Sequence, residues 1–380
     1  MRFHRIPATF MRGGTSKALM FKAFDLPENR EERDAIFLAA MGSPDVNGRQ
    51  LDGMGGGLSS LSKVCVVGPP SRPDADVDYT FAQVAVDEAL VDYGGNCGNM
   101  SSAIGPFAIE EGLLPAPPDG EASVRIHNTN TGKIILARFP VEAGALASDG
   151  GLELDGIAGS AAPIKLEFLD PGGAKTGRLL PTGNAVDVLD VPVLGRVEAS
   201  LVDAANPCVF VAAESLGLTG VELPQTLEAD AEFLSRMEAI RQAGSVAMGL
   251  APDLAAAKRL ASIPKVAIVA HPQAAPTLSG RELAAADYDL TVRMISIGQP
   301  HRAVPITGAV CLAIAARIPG SIPQRLCAAG TGLLRIGHPS GTILVDAEVA
   351  VADDGGVTVL YGAVFRSARR LFEGRVAYRL

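Results

Sequence analysis

Two side chains that can move protons, Lys63 and Cys97, each follow a glycine-rich segment. The stretch Val91–Leu114 reads as a short strand, a turn rich in glycine, and then small and apolar residues at helical spacing. We therefore expect Cys97 at or just before the first helical residue. Free N–H groups and the positive end of the helix dipole favour a thiolate or a bound carboxylate there. The alternative is a buried, inert cysteine.

Lys63 opens a predicted strand, Lys63–Val67, after a run of glycines and serines. Strand alternation puts Leu61, Lys63, Cys65 and Val67 on one face. Apolar surroundings would favour the neutral amine, which can act as a base. The alternative is a lysine that extends to solvent from the strand end. No GxxxxGK[ST] motif is present and a strand follows, so this is not a nucleotide-binding P-loop.

Several polar residues are candidates for holding an anionic substrate. A predicted hairpin joins strands Phe3–Phe10 and Ala18–Phe21, and its loop is either an anion-binding edge or an ordinary solvated tip. Arg293 and Ser296 lie on a predicted strand, and a loop precedes the predicted helix Ala309–Arg317. The candidate substrate-binding residues are Ser16, Lys17, Ser60, Asn96, Gly98, Asn99, Asn130, Thr182, Asn184, Arg293, Ser296, His301, Thr307 and Gly308.

The bulk composition excludes several classes of protein. The chain has 380 residues, of which 48% are hydrophobic and 20% charged, so it is globular and long enough for two domains. A net charge of −9 without a basic cluster argues against nucleic-acid binding. Five widely spaced cysteines argue against a disulfide framework or a zinc site. With no signal peptide and no bilayer-length apolar run, we expect a cytoplasmic protein without membrane contact.

The two halves of the chain share a weak pattern. The segments Gly98–Ala108 and Thr307–Arg317 align loosely around a helix start. We therefore predict an α+β protein with two similar domains, 1–185 and 186–380, and allow the last strand to return to the first domain. Each domain is expected to be a curled, mostly antiparallel sheet around a central helix. Two helix N-termini facing one cleft would suit a substrate with carboxylates at both ends.

With these residues assembled, the chain resembles the PrpF family of isomerases, which have the diaminopimelate-epimerase-like fold. The resemblance covers nearly the whole chain. It is carried by these motifs, in order: MRGGTSKA (Met11–Ala18), GSPD (Gly42–Asp45), DGMGG…SSLSK (Asp52–Lys63), DVDYTFAQV (Asp76–Val84), YGGNCGN (Tyr93–Asn99), PTGN (Pro181–Asn184), ANPCVF (Ala205–Phe210) and GHPSG (Gly337–Gly341).

The resemblance implies an isomerase of a small, unsaturated di- or tricarboxylate that needs neither cofactor nor metal. Family reactions include isomerisation of 2-methylaconitate, 3-methylitaconate and aconitate, and tautomerisation of 4-oxalomesaconate. It places the catalytic lysine at Lys63 and the catalytic cysteine at Cys97, and it allows a homodimer. The segments His127–Lys133 and Val202–Phe210 look most like the 3-methylitaconate type, whereas Pro300–Val310 departs from the members that act on 2-methylaconitate.

Two other classes of function are weighed against this one. A non-catalytic partner of an iron–sulfur aconitase-like enzyme would not need Lys63 and Cys97, and both are intact. An amino-acid epimerase of this fold would carry a second thiol at the other helix start. The chain has Pro305, Ile306, Thr307 and Gly308 there, and Cys311 comes later, inside the predicted helix.

Overall fold

The computed structural model describes residues 3–328, 330, 332–353 and 355–379. The helices are α1 (Arg30–Met41), α2 (Gly98–Glu110), α3 (Pro224–Glu228), α4 (Ala231–Ala247), α5 (Leu254–Arg259), α6 (Ile306–Ala315) and α7 (Ile322–Leu326). The strands are β1 (His4–Gly13), β2 (Ser16–Lys22), β3 (Lys63–Gly68), β4 (Val77–Val84), β5 (Val91–Asp92), β6 (Gly120–Asn128), β7 (Lys133–Glu142), β8 (Ala145–Leu146), β9 (Leu152–Glu153), β10 (Ser160–Ala161), β11 (Ile164–Leu169), β12 (Asp187–Val191), β13 (Gly195–Ala204), β14 (Asn206–Ala212), β15 (Lys265–Ala270), β16 (Ala275–Pro276), β17 (Glu282–Leu283), β18 (Leu290–Ser296), β19 (Gln299–Pro300), β20 (Leu334–His338), β21 (Gly341–Val351), β22 (Val357–Arg366) and β23 (Ala368–Tyr378).

The chain divides into two compact units. Unit 1 contains the residues up to Glu167 together with those from Phe365 onward, and unit 2 runs from Phe168 to Val364. The expected boundary between residues 185 and 186 differs from this division, in which residues 168–185 belong to unit 2. Strand β23 pairs along its length with β1, which explains why the end of the chain belongs to unit 1.

Unit 1 is a sheet wrapped around helix α2. Antiparallel ladders join β1 to β2, β3 to β4 and β6 to β7, and parallel ladders join β2 to β3 and β4 to β6. Helix α2 contacts β1, β2, β3, β6, β7 and β23. Its ten residues from Met100 to Ile109 are all buried, as expected for a helix enclosed by a sheet. The helix continues through Pro106, although proline removes a backbone hydrogen-bond donor there.

Helix α1 covers the other face of this sheet. Val64 and Val66 of β3 pack in one apolar cluster with Ile36 and Phe37 of α1. Because side chains alternate along a strand, Lys63 and Cys65 lie on the opposite face, where α2 lies. The predicted shared face is therefore confirmed within β3, whereas Leu61 lies in the turn before the strand.

Unit 2 repeats the ladder order of unit 1. Antiparallel ladders join β13 to β14, β15 to β18 and β20 to β21, and parallel ladders join β14 to β15 and β18 to β20. Helix α6 contacts β13, β14 and β21 on one face. Helix α4 packs on the other, where Phe233 and Met237 join a cluster with Val209, Ile268 and Ile295.

These features confirm the predicted fold class. The protein is α+β, with two similar units that are each built around one central helix, in the diaminopimelate-epimerase-like arrangement. The predicted helix Ala309–Arg317 begins earlier, at Ile306, so Thr307 and Gly308 belong to α6 instead of the preceding loop. Within the described residues, every helix is too short or too polar to cross a membrane.

Candidate active site

Cys97 is the N-cap residue of α2. Its backbone is extended (φ −103°, ψ 97°) and its side chain makes no capping hydrogen bond. The first intrahelical bond runs from Ser101 N–H to Cys97 O, so the N–H groups of Gly98, Asn99 and Met100 precede the hydrogen-bonded turns. The side chain is partly exposed. This placement confirms the expectation that the thiol lies just before the first helical residue, where anions are favoured.

The β1–β2 hairpin fixes the start of this helix. A Cβ added at Gly13 would lie 2.7 Å from Asn99 O and 3.0 Å from Met100 Cα, so only glycine allows so close an approach. The Asn99 Nδ2 group donates to Thr15 Oγ1 at 3.2 Å. The glycines of the MRGGTSKA motif therefore hold the first turn of α2, and with it Cys97, against the hairpin.

Lys63 is held in one orientation by a neutral partner. It is 8% exposed, and its Nζ donates to Gln83 Oε1 at 2.6 Å across the β3–β4 ladder. Gln83 Nε2 donates to Ser59 O and Ser62 O, which leaves Oε1 to face the lysine. Nζ also lies 4.9 Å from the centroid of the Phe81 ring. Among the described residues no carboxylate pairs with Nζ, so the amine can give up a proton without breaking an ion pair.

Two neutral groups lie beside the lysine and the thiol. Burial, and after it the nearby Cys97, raises the pKa of Cys65 well above its ordinary value. Burial likewise raises the pKa of Tyr79, whose hydroxyl lies 3.8 Å from Cys65 Sγ. Cys65 is therefore a thiol and Tyr79 a phenol at neutral pH.

Arg366 is a further candidate site residue, which the sequence pattern did not single out. It is 8% exposed, and burial lowers its pKa to about 10. Its Nε donates to Asn99 Oδ1 at 3.2 Å and its Nη1 to Phe365 O at 2.8 Å, both neutral acceptors. No carboxylate pairs with it in the described part of the chain. An unpaired buried cation is costly, so its place beside the first turn of α2 indicates an anionic ligand.

One feature of the sequence could have pointed to Arg366 as a candidate site residue. It is a single arginine at the end of the strand-like run Val357–Phe365, which is otherwise rich in apolar residues. Sequence spacing could not show that this run ends beside Asn99, because 267 residues separate the two in the chain.

Several predicted binding residues of unit 1 have other roles. Lys17 lies on the face of β2 that carries Leu19, with Nζ 5.7 Å from the Phe10 ring centroid, so it points away from α2. Its N–H donates to Ser60 O at 3.0 Å, which joins the two glycine-rich loops. Ser16 is buried on the α2 face of the hairpin.

The side-chain amides of Asn96 and Asn130, both predicted to bind substrate, form hydrogen bonds within the protein. Asn96 Oδ1 accepts from Ser101 Oγ at 3.4 Å. Asn130 donates to Phe81 O and Tyr93 O and accepts from Phe81 N–H, so it positions the strand before the Cys97 turn.

In unit 2, Thr182 and Asn184 both donate to Asp187, and they stabilise their own turn. This geometry does not support contact of their side chains with substrate.

Arg293 lies on the face of the unit 2 sheet that α4 covers. It pairs with Ile268 and shares a face with Ile295, and both of these pack in the α4 cluster. Its Nε donates to Glu222 O at 2.6 Å, and burial lowers its pKa to about 10. This geometry does not support the predicted contact of Arg293 with substrate. Ser296 ends β18 on the opposite face from Ile295, His301 directly follows β19, and Thr307 and Gly308 lie in the first turn of α6.

Alkylation tests the environment of Cys97. We expect iodoacetamide to modify Cys97 faster than Cys327, a second partly exposed cysteine that lies at a helix C-terminus, where the dipole disfavours a thiolate. The fully buried Cys311 should react slowest. Mass spectrometry of the native protein gives the rates, and a bound polycarboxylate should slow only Cys97. Equal rates at Cys97 and Cys327 would contradict the activated thiol.

Comparisons with known proteins agree on one family. The model for the PrpF protein family matches residues 3–379. The 2-methyl-aconitate isomerase of Shewanella oneidensis is 43% identical over 98% of this chain and 96% of its own length. The 4-oxalomesaconate tautomerase of Pseudomonas putida is 40% identical over 98% and 96%. A crystal structure of methylitaconate-delta-isomerase has a TM-score of 0.91 and 42% identity, and covers 100% of this chain and 96% of that one.

Proposed function

Because the chain belongs to the PrpF family, we propose that it is an isomerase that transfers an allylic proton within an unsaturated di- or tricarboxylate. Relatives named for methylaconitate, methylitaconate and oxalomesaconate support this substrate class. Their identities to this chain, 43%, 42% and 40% in that order, are too close to select one substrate, so all three remain in the proposal.

The observation that carries the proposal is that an amine and a thiol lie on the same side of the unit 1 sheet, the side that α2 covers. Lys63 lies on the face of β3 that α2 covers, and Cys97 is the N-cap residue of α2. Gln83 orients the amine, and the N-cap position orients the thiol. Arg366 and the free N–H groups of α2 supply positive charge for a carboxylate.

The proposed reaction has two proton transfers. A base takes the proton from a carbon next to the C=C bond, and that C–H electron pair becomes part of a dienolate whose charge rests on carboxylate oxygens. The proton then returns to the other end of the allylic system, which moves the double bond and regenerates the base. Rotation in the dienolate before the return gives cis–trans change. Positive groups at the carboxylate stabilise the intermediate most. We assign the proton transfer mainly to Lys63, with Cys97 as an acid or a positioning group.

An epimerase with one thiol in each unit is the weaker alternative. The N-cap residue of α6 is Pro305, and Cys311 is fully buried inside that helix. Unit 2 therefore offers no thiol in the position that Cys97 occupies in unit 1.

The proposal is tested with a panel of substrates in deuterated water. We expect at least one of 2-methylaconitate, 3-methylitaconate, aconitate and 4-oxalomesaconate to take up deuterium at an allylic carbon and to form an isomer. The reason is that the protonated base exchanges its proton for deuterium from the solvent before it returns it to the substrate. Proton NMR follows both changes. Saturated propane-1,2,3-tricarboxylate is the control and should not exchange. Folded protein that exchanges none of the four substrates would refute the proposed function.

A further inference from the structure

The internal repeat brings a second lysine to the position of Lys63. Lys63 is the first residue of β3, a strand between a parallel neighbour, β2, and an antiparallel neighbour, β4. Lys265 is the first residue of β15, which lies in the same way between β14 and β18. In both units the lysine bonds to the residue across the antiparallel ladder, Gln83 in unit 1 and Ser296 in unit 2.

The side chain of Lys265 lies on the α6 face of its sheet. Val266 packs in the α4 cluster, so its neighbours Lys265 and Ala267 face the other way. Ala267 pairs with Met294, which packs against Gly308 in the first turns of α6. Lys265 therefore has the same relation to α6 that Lys63 has to α2.

The polar groups around Lys265 are not balanced by negative charge. Its Nζ donates to Ser296 Oγ at 2.7 Å, and no carboxylate pairs with it among the residues that the structure describes. The His301 Nε2 atom is buried and has no hydrogen-bond partner in that part of the chain. Burial, and second the charge of Lys265, lowers the pKa of His301, so its imidazole is neutral at neutral pH. A buried polar atom without a partner beside a cation indicates an acceptor supplied by a ligand.

One difference separates the two lysines. The N-cap position that holds Cys97 in unit 1 holds Pro305 in unit 2. Lys265 therefore has no thiol at the helix start with which to share a proton transfer. The amine of Lys265, the hydroxyl of Ser296 and the imidazole of His301 are suited to holding an anion in place.

We propose that Lys265, Ser296 and His301 form a carboxylate-binding site in unit 2. Nζ supplies the charge and His301 Nε2–H the second hydrogen bond to the carboxylate, while Ser296 orients the amine. Lys265 and His301 are both partly exposed as residues. The choice of a polycarboxylate as ligand rests on the proposed function, whereas the site itself rests on the geometry of unit 2.

Calorimetry with propane-1,2,3-tricarboxylate tests the site in the full-length protein. This ligand is saturated, so it measures binding without the allylic reaction. We expect Lys265→Met to weaken binding by about tenfold or more, the loss of one charged hydrogen bond, and Lys265→Arg to keep most of the affinity. Lys258→Met, which removes an exposed lysine of α5, is the matched control and should bind like the wild type.

The outcomes separate this site from the proposed reaction. Lys265→Met should weaken binding of the tricarboxylate in the Lys63→Ala background too, because binding at this site does not require the reaction. The reaction itself is tested separately, by deuterium exchange in the Lys63 and Cys97 variants. Folded Lys265→Met that binds the tricarboxylate like the wild type would overturn the site, as would a wild type that does not bind it. If Lys265→Met fails to fold, acetylation of Lys265 in the wild type decides: protection by the tricarboxylate supports the site, and unchanged labelling refutes it.

Discussion

Replacing Lys63 with alanine should lower the turnover number by about 10²–10⁴-fold, the usual contribution of a positioned acid–base group. The side chain is buried, is oriented by Gln83 and has no carboxylate partner among the described residues. Binding of substrate should change much less, because the lost interaction belongs mainly to the transition state. Deuterium entry into substrate, read by proton NMR, measures the proton transfer directly.

Controls separate the roles of lysine and thiol. Lys63→Arg should be as inactive as the alanine variant, since a guanidinium keeps its proton. Lys133→Ala removes an exposed lysine at the start of β7 and should remain active. Cys97→Ser should keep weak turnover or exchange at one carbon, because the amine is still present. If Lys63→Ala exchanges at the wild-type rate while Cys97→Ser is silent, the thiolate is the base and the assignment is reversed.

Arg366→Met should weaken substrate binding by about 1.5–3 kcal/mol, the scale of a charged hydrogen bond, without a matching loss of stability. The arginine is buried, has only neutral acceptors and borders the first turn of α2 through Asn99. Removing an unpaired buried charge while keeping an apolar stem should leave the free energy of unfolding unchanged or raise it. Calorimetric binding and denaturant unfolding measure the two effects separately.

The comparison with Arg375→Met completes this test. Arg375 is exposed on β23, the strand that comes after Arg366 in the chain, and its loss should affect neither binding nor stability. Arg366→Lys should recover part of the binding, because the charge returns without the planar guanidinium. Arg366→Met that is destabilised yet binds substrate normally would show that Arg366 serves the fold alone.

The local sequence determined the elements that carry Lys63 and Cys97. A continuous run of apolar residues defines β3, and the glycine turn followed by small residues places Cys97 at the start of α2. These are short-range effects: strand alternation, glycine backbone freedom and free N–H groups at a helix start act within a few residues. The motif order then identified the family and the fold over nearly the whole chain.

Only the tertiary structure decided which faces and distant segments meet at each helix. The sequence could show that Arg293 lies on a strand, whereas it put Lys17 in the hairpin loop and not in β2, where the structure has it. The helix that covers each face is fixed by long-range pairing and packing. The pairing of β23 with β1 brings the end of the chain, and with it Arg366, back to unit 1. The repeated ladder order gives Lys265 a position in unit 2 that is equivalent to that of Lys63 in unit 1. Such contacts join residues far apart in the chain, so no local pattern of residue types could reveal them.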